Sequence, residues 1–226
     1  MSDLNEQEQW ELAKQKVREL WIYVVGGVAL GLAGLYGWNW WNDRRETQAE
    51  TASARYEELI KAVGRNDATR GMTLLDDLKG QYAWTPYPAL GSLIAARVQV
   101  EANELDKAVA SLKFVMDNAH DDEIKLIARL RLARVLAEQG KHDEALALLK
   151  VEEAGEFAPR LADTRGDVLL AKGDRDGALR EYQAARATPN EDGRVDFDML
   201  DLKIRDLGGT PPASLPDGVT ITTEES

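Results

Sequence analysis

Few side chains in this sequence could carry out chemistry, and none of them stands in a catalytic pattern. The chain has no cysteine, which excludes disulfides, thiol nucleophiles and thiolate metal sites. Its two histidines, His120 and His142, lie in turn-like stretches, where a histidine is usually a solvated surface residue. Adjacent acids such as Asp76 and Asp77 point in different directions on a helix and form no carboxylate dyad. We therefore predict a protein that is not an enzyme and has no metal site and no cofactor.

The remaining chemistry is that of binding, and the overall charge limits the partner. The sequence contains 28 Lys and Arg residues and 40 Asp and Glu residues, which gives a net charge of −12 at pH 7. Because there is no basic stripe to meet phosphates, we expect no nucleic acid as a partner. A surface that binds other proteins is the expected alternative.

An uncharged segment near the N-terminus predicts a membrane anchor. Between Glu19 and Asp43 there are 23 residues without a charge. A helix of this length reaches about 34 Å, enough to cross a hydrocarbon layer about 30 Å thick. Trp and Tyr stand at both ends, as expected at the two headgroup layers. A cleaved signal peptide would be shorter and end in small residues. We predict a single transmembrane helix over residues 20–41, surrounded by membrane lipid.

Local charge does not decide the orientation of this helix. Three basic residues lie shortly before the segment and three shortly after it, so the positive-inside rule gives a tie. A large C-terminal domain can cross a membrane largely regardless of its charge. Its size favours a cytosolic tail over residues 1–19 and a translocated domain over residues 42–207. The Pro-containing residues 208–226 are predicted to be a disordered tail.

Glycines within the predicted span share one face of the helix. Gly27, Gly31 and Gly34 follow an i, i+4, i+7 spacing. Such a face lets a second helix approach closely within lipid, so it is a candidate docking face. The alternative is the ordinary enrichment of glycine in membrane helices.

The chain after Tyr87 repeats itself. Residues 96–115, 133–152 and 166–185 align without gaps. Each stretch begins with a small residue, has Asn or Gly seven residues later and Ala five residues after that, and then a large residue four further on. The alanines are 37 and 33 residues apart, close to the roughly 34-residue period of tetratricopeptide repeats. The matched residues are Ala96, Asn103, Ala108 and Leu112; Ala133, Gly140, Ala145 and Leu149; and Gly166, Gly173, Ala178 and Tyr182.

These residue types fit pairs of antiparallel helices. The first small residue and the later alanine mark the place where two helices cross closely, and Asn or Gly can take the left-handed backbone of the turn. Residues 45–80 are expected to form one further, atypical pair, and residues 192–207 a final capping helix. The fold class predicted is all-α: one N-terminal transmembrane helix followed by a tetratricopeptide-like α-solenoid. The alternative is a helical bundle with coincidental alanines.

Stacked helix pairs form a concave face lined mainly by the first helix of each pair. The mixture of charged and apolar residues on it suits an extended polypeptide, although the charges could instead only keep the face soluble. The candidate protein-binding residues are Leu93, Arg97, Val100 and Glu101 in the first repeat, Leu130, Arg134, Ala137 and Glu138 in the second, and Arg160, Asp163, Asp167 and Leu170 in the third.

Several stretches taken together resemble the YfgM family, the ancillary SecYEG translocon subunits of Gram-negative bacteria. The resemblance runs from the predicted anchor to Leu207. The stretches that carry it are GWNWWND (37–43), ANELDKA (102–108), LRLARV (130–135), LADTRGDVLLAKGD (161–174) and MLDLKIRDL (199–207).

The resemblance implies an inner-membrane protein with a cytosolic N-terminus and a periplasmic repeat domain. It also implies association with the SecYEG translocon and with the periplasmic chaperone PpiD, and a role in passing translocating polypeptides to periplasmic chaperones. A competing hypothesis is a membrane-anchored regulator whose acidic cytosolic tail sequesters a stress-response signalling protein.

Overall fold

The protein is described by a computed structural model that covers residues 3–151, 155–188 and 195–212. In the first helix, side chains are described at residues 10, 21 and 23 and from residue 25 onward. The predicted tail therefore lies mostly outside the described residues, as do nearly all side chains of the predicted cytosolic segment. Helices are the only regular elements in the described ranges, which confirms the predicted all-α class there.

The described helices follow one another with short connections. Contacts divide the chain into two units, Met1–Ala54 and Arg55–Ser226. The helices are α1 (Asp3–Gly64), α2 (Ala68–Gln81), α3 (Tyr87–Glu101), α4 (Leu105–Asn118), α5 (Asp122–Glu138), α6 (His142–Leu148), α7 (Ala158–Lys172), which a short 3-10 turn (Gly155–Phe157) precedes, α8 (Arg175–Ala187) and α9 (Phe197–Asp206).

In the first unit, α1 presents its apolar side chains to the outside. Every residue from 25 to 48 is exposed, and the large side chains of Leu30 and Tyr36 are each 76% exposed. Among the residues whose side chains are described, no helix combines the length and the apolar character needed to cross a membrane. Leu20, Ile22 and Val24, which the sequence-based prediction included in the span, lie outside that part of the chain.

In the second unit, the predicted repeat register is confirmed. The three predicted pairs are α3 with α4, α5 with α6, and α7 with α8. The predicted turn residues Asn103, Gly140 and Gly173 have φ angles of 58°, 76° and 93°, in the left-handed region. Glycine takes this region without strain and asparagine more easily than most residues. The predicted crossing residues of all three pairs are buried.

Aspartate side chains cap the N-termini of several of these helices. Asp174 precedes α8, and its side chain accepts a hydrogen bond of 2.8 Å from the backbone N–H of Gly177. Asp196 does the same for Met199 at the start of α9, at 3.0 Å. These contacts satisfy donors that the first helical turn leaves without a backbone partner.

The third helix pair crosses differently from the first two. In the first two pairs the small residue is alanine and the large residue of the partner helix is leucine. In the third pair Gly166 lies directly under the ring of Tyr182, and a methyl group added at Gly166 would overlap that ring, with its Cζ only 3.0 Å away. Glycine therefore makes room for the larger aromatic residue.

Further helices pack at the two ends of the three repeat pairs. At one end the last turns of α1, from residue 55, lie with α2 and bury Leu59, Leu75 and Leu78. At the other end α9 buries Leu200 and Ile204 in a core shared with α7 and α8. The capping helix was predicted to begin at residue 192, but residues 195 and 196 are not helical and α9 begins at Phe197, after the N-cap Asp196; residues 192–194 lie outside the described residues.

Exchange of residues at the third crossing should reveal this size match. We expect Gly166→Ala to lower the free energy of unfolding by about 1–3 kcal/mol because it overpacks the crossing. Combining it with Tyr182→Leu copies the alanine and leucine of the other pairs, so the double variant should be more stable than the sum of the single effects, by about 1 kcal/mol. Urea unfolding followed by circular dichroism measures all three variants, and strict additivity would contradict the size match.

Candidate functional site

Two of the apolar residues predicted on the concave face belong to the core instead. Leu93 is 9% exposed and Leu130 is 2% exposed, and both pack in the cluster that joins α3 to α7. Each stands three residues before a crossing residue, Ala96 or Ala133, and residues three apart share one face of a helix. Leu93 and Leu130 therefore face the partner helix, and their prediction as binding residues is corrected.

The charged members of the predicted face are at the surface. Arg97 and Glu101 are exposed on α3 and form an ion pair, with 3.5 Å between Nε and Oε1. Glu138 is exposed on α5, whereas Val100 is partly buried against the core. One exposed ion pair of this kind contributes at most about 1 kcal/mol, so these side chains are available for other partners.

Arg134 joins the faces of α5 and α7. Its Nη2 donates a hydrogen bond of 3.2 Å to Oγ1 of Thr164. The same nitrogen lies 3.7 Å from Oδ2 of Asp163 and 3.5 Å from Oδ2 of Asp167. The structure thus brings together Arg134, Asp163 and Asp167, three residues that the sequence analysis placed on one face.

Lys203 of α9 completes this group as a half-buried network. Its Nζ lies 2.7 Å from Oδ1 of Asp163 and 2.6 Å from Oδ1 of Asp167. The hydroxyl of Tyr182 donates a hydrogen bond of 3.0 Å to Oδ1 of Asp167. Both carboxylates are therefore engaged inside the protein, which ties α5, α7, α8 and α9 together.

The network raises the pKa of two of its members, Lys203 and Tyr182. Burial alone would lower the pKa of Lys203, but the hydrogen bonds to Asp163 and Asp167 outweigh it and raise the pKa. Burial, and then the charge of the neighbouring Asp167, raise the pKa of Tyr182 far above its ordinary value. The sequence analysis missed Lys203, because it lies 40 and 36 residues from its two partners. Only the i, i+4 spacing of the two aspartates signalled a shared role.

Arginines remain on the inner face after the acids are engaged. Arg131 of α5, which the sequence analysis did not select, belongs with Arg97, Arg134 and Arg160. Burial lowers the pKa of Arg131, and the like charges of Arg160, Arg97 and Arg134 lower it further. The signal that could have found it is its i, i+3 spacing from Arg134. The part of the face around Arg131 is thus basic, although the chain as a whole is acidic.

The structure also bears on the predictions about metal binding and about the histidines. Across the described residues, no group of His, Asp and Glu side chains is arranged to hold a metal ion. His142 was predicted to be a solvated surface residue, but its Nδ1 is buried and has no hydrogen-bond partner among the described residues.

No described residue packs on the face formed by Gly27, Gly31 and Gly34. Apart from the backbone of the helix itself, no atom lies within 4 Å of the place where a Cβ would stand on any of the three. Nearby, the guanidinium of Arg44 lies over the ring of Trp40, 5.1 Å from its centre. The described part of the chain offers nothing that covers the glycine face, so its docking role stays a prediction.

The fold and the inner face define a tetratricopeptide-like helical repeat protein. Consistent with this class, a model of the tetratricopeptide repeat-like domain matches residues 14–209.

Comparison with known proteins extends this likeness over about nine tenths of the chain. The ancillary SecYEG translocon subunit of Escherichia coli (strain K12) is 33% identical over 208 residues, which cover 90% of this chain and 97% of that protein. The protein of the same name from Neisseria gonorrhoeae is 30% identical over 208 residues, covering 90% of this chain and 98% of that protein. That from Aggregatibacter actinomycetemcomitans is 27% identical over 206 residues, with 90% and 98% covered. The chain belongs to the YfgM family.

The half-buried network should make the repeat domain sensitive to alkali. A phenol or amine with a raised folded pKa holds its proton better in the folded chain, so its stabilisation is complete below the unfolded pKa of about 10 and is lost as the pH rises through the folded pKa. We expect the urea midpoint to fall between about pH 9 and pH 11. Tyr182→Phe should reduce this fall, because phenylalanine has no proton to lose.

Tyr82→Phe is the matched control, since it removes a tyrosine hydroxyl outside the network. It should show the same fall between the two pH values as the unaltered protein. An equal fall in Tyr182→Phe and the unaltered protein would show that the network does not cause the alkaline loss.

Proposed function

We propose that this protein is a non-enzymatic ancillary subunit of the SecYEG translocon. The observation that carries the proposal is the nearly full-length match to proteins named for that role, which includes the N-terminal helix as well as the repeats. The repeats offer a charged inner face on which other proteins can bind. In this role the repeat domain binds a periplasmic chaperone of the PpiD kind and assists the transfer of translocated polypeptides to it.

The same proposal places residues 20–41 in the inner membrane, in a single pass with lipid around them. Its support is the uncharged sequence and the outward-facing apolar side chains of α1 from residue 25 onward. Exposing so many apolar groups to water is unfavourable, whereas the hydrocarbon of a membrane solvates them well. Residues 1–19 would then lie in the cytosol and the repeat domain in the periplasm, beyond the second aromatic belt.

A reporter fused after Leu207 tests the orientation. Alkaline phosphatase needs disulfides and is active only after export, whereas β-galactosidase is active only in the cytosol. We expect the alkaline phosphatase fusion to be active and the β-galactosidase fusion to be inactive. The reverse pattern would place the repeat domain in the cytosol and overturn the proposal.

The glycine face is the proposed contact with the membrane part of the channel. Gly27→Leu combined with Gly31→Leu puts two bulky side chains where close helix approach is needed. We expect this variant to recover about tenfold less SecYEG than the unaltered protein after purification in mild detergent, a loss of about 1.4 kcal/mol. Quantitative immunoblotting of the channel subunits measures the recovery.

Controls separate this contact from a general effect and from the regulator hypothesis. Ala29→Leu combined with Ala33→Leu places the same two leucine side chains away from the glycine face and should leave recovery unchanged. Deletion of residues 2–16 should also leave it unchanged. If that deletion instead abolished a stress response while the span and repeats were intact, the sequestering regulator would be the better reading.

A further inference from the structure

On the part of the inner face formed by α5 and α7, Arg131 and Arg160 remain at the surface while two of the predicted acids are engaged elsewhere. Asp163 and Asp167 are engaged by Lys203, Tyr182 and Arg134 inside the network. Arg131 and Arg160 have no ion pair within residues 3–151, 155–188 and 195–212. The region around Arg131 and Arg160 is therefore basic in a chain with a net charge of −12, while Glu101 pairs with Arg97 and Glu138 stays exposed on α5.

The helix register places these arginines side by side. α5 and α7 are the first helices of consecutive pairs and run in the same direction. Arg134 of α5 contacts Thr164 of α7. One turn earlier on the two helices stand Arg131 and Arg160, so these two are neighbours as well.

The third arginine comes from α3, which contacts α5 as α7 does. Arg97 of α3 occupies the repeat position that Arg134 has on α5, one residue after the small crossing residue. α3, α5 and α7 contact one another in succession. The mutual influence of these charges agrees with this placement, because Arg160 and Arg97 both lower the pKa of Arg131. We call Arg97, Arg131 and Arg160 the arginine cluster.

We propose that the arginine cluster binds an acidic segment of an extended polypeptide. The proposal rests on the function proposed above and names the class of chain that the repeats take. Guanidinium groups form paired hydrogen bonds with carboxylates, which also relieve the repulsion between the arginines. Alternate side chains of an extended chain are about 7 Å apart, comparable with the 8–10 Å between packed helices. A single lipid phosphate is too small to meet all three arginines.

The test uses the full-length protein in nanodiscs of phosphatidylcholine, which carries no net charge. The probe is a fluorescein-labelled, unstructured Gly/Ser peptide with glutamate at every second position, and its reference is the same peptide with glutamine. We expect the glutamate peptide to bind at least about tenfold more tightly by fluorescence anisotropy. Arg131→Gln combined with Arg160→Gln should weaken its binding about tenfold.

The matched control removes the same charge elsewhere. Arg180 of α8 and Arg205 of α9 are exposed arginines away from the cluster. Arg180→Gln combined with Arg205→Gln should leave the affinity for the glutamate peptide within about twofold. Equal affinity for the two peptides, or an equal loss in the two double variants, would overturn the proposal. So would displacement of the peptide by phosphatidylglycerol vesicles that themselves bind through Arg131 and Arg160.

Two further measurements cover the cases in which the cluster variant does not fold or SecYEG does not co-purify. If the cluster variant loses helical circular dichroism, salt titration of the unaltered protein replaces it: the affinity for the glutamate peptide should fall as NaCl rises, and an affinity independent of salt would refute the cluster. Recovery of SecYEG by the folded cluster variant should be unchanged, because its span is intact. Failure of SecYEG to co-purify even with the unaltered protein would instead refute the proposed function and leave the peptide result standing.

Discussion

The close crossing of two antiparallel helices at a small residue is the constraint on which the repeat domain depends. Ala96 and Ala133 allow it in the first two pairs, and Gly166 allows it in the third, where Tyr182 fills the space that leucine fills elsewhere. Because each crossing fixes the distance between two helices, it also fixes which side chains face the next pair. The continuous core from α3 to α7 and the exposed inner face both follow from these contacts.

The third pair, which differs from the other two at its crossing, is also the last pair of the solenoid. Tyr182 not only fills its crossing but reaches Asp167 with its hydroxyl, and Lys203 of the last helix bonds to the same carboxylate. Arg186 of α8 adds a second link to α9 through Asp201, at 2.8 Å. Removing one member of such a half-buried network would leave a charge without its partner, which costs more than the network contributes as a whole. This arrangement joins α9 to the repeats with a fixed register.

Much of this fold could be predicted because the sequence can be compared with itself. Three copies of one spacing predicted the buried alanines and the left-handed turns at Asn103, Gly140 and Gly173, all of which the structure confirms. The inner face was predicted less well, since a residue such as Leu130 differs from its surface neighbours only by its rotation about the helix. The partner of Asp163 and Asp167 could not be predicted, because nothing near Lys203 in sequence points to residues 40 and 36 positions away.

The chemistry of the inner face implies weak and distributed binding of its partner. Each exposed arginine–carboxylate pair contributes about 0–1 kcal/mol, and a dissociation constant of 1 mM already requires about 4 kcal/mol. The arginine cluster alone therefore selects acidic chains more than it holds them, and further affinity must come from contacts such as those of the half-buried Val100 and Ala137. An extended chain can make and lose such contacts one at a time. A face of this kind suits a protein that receives a polypeptide briefly and passes it on, because no single contact has to be broken at high cost.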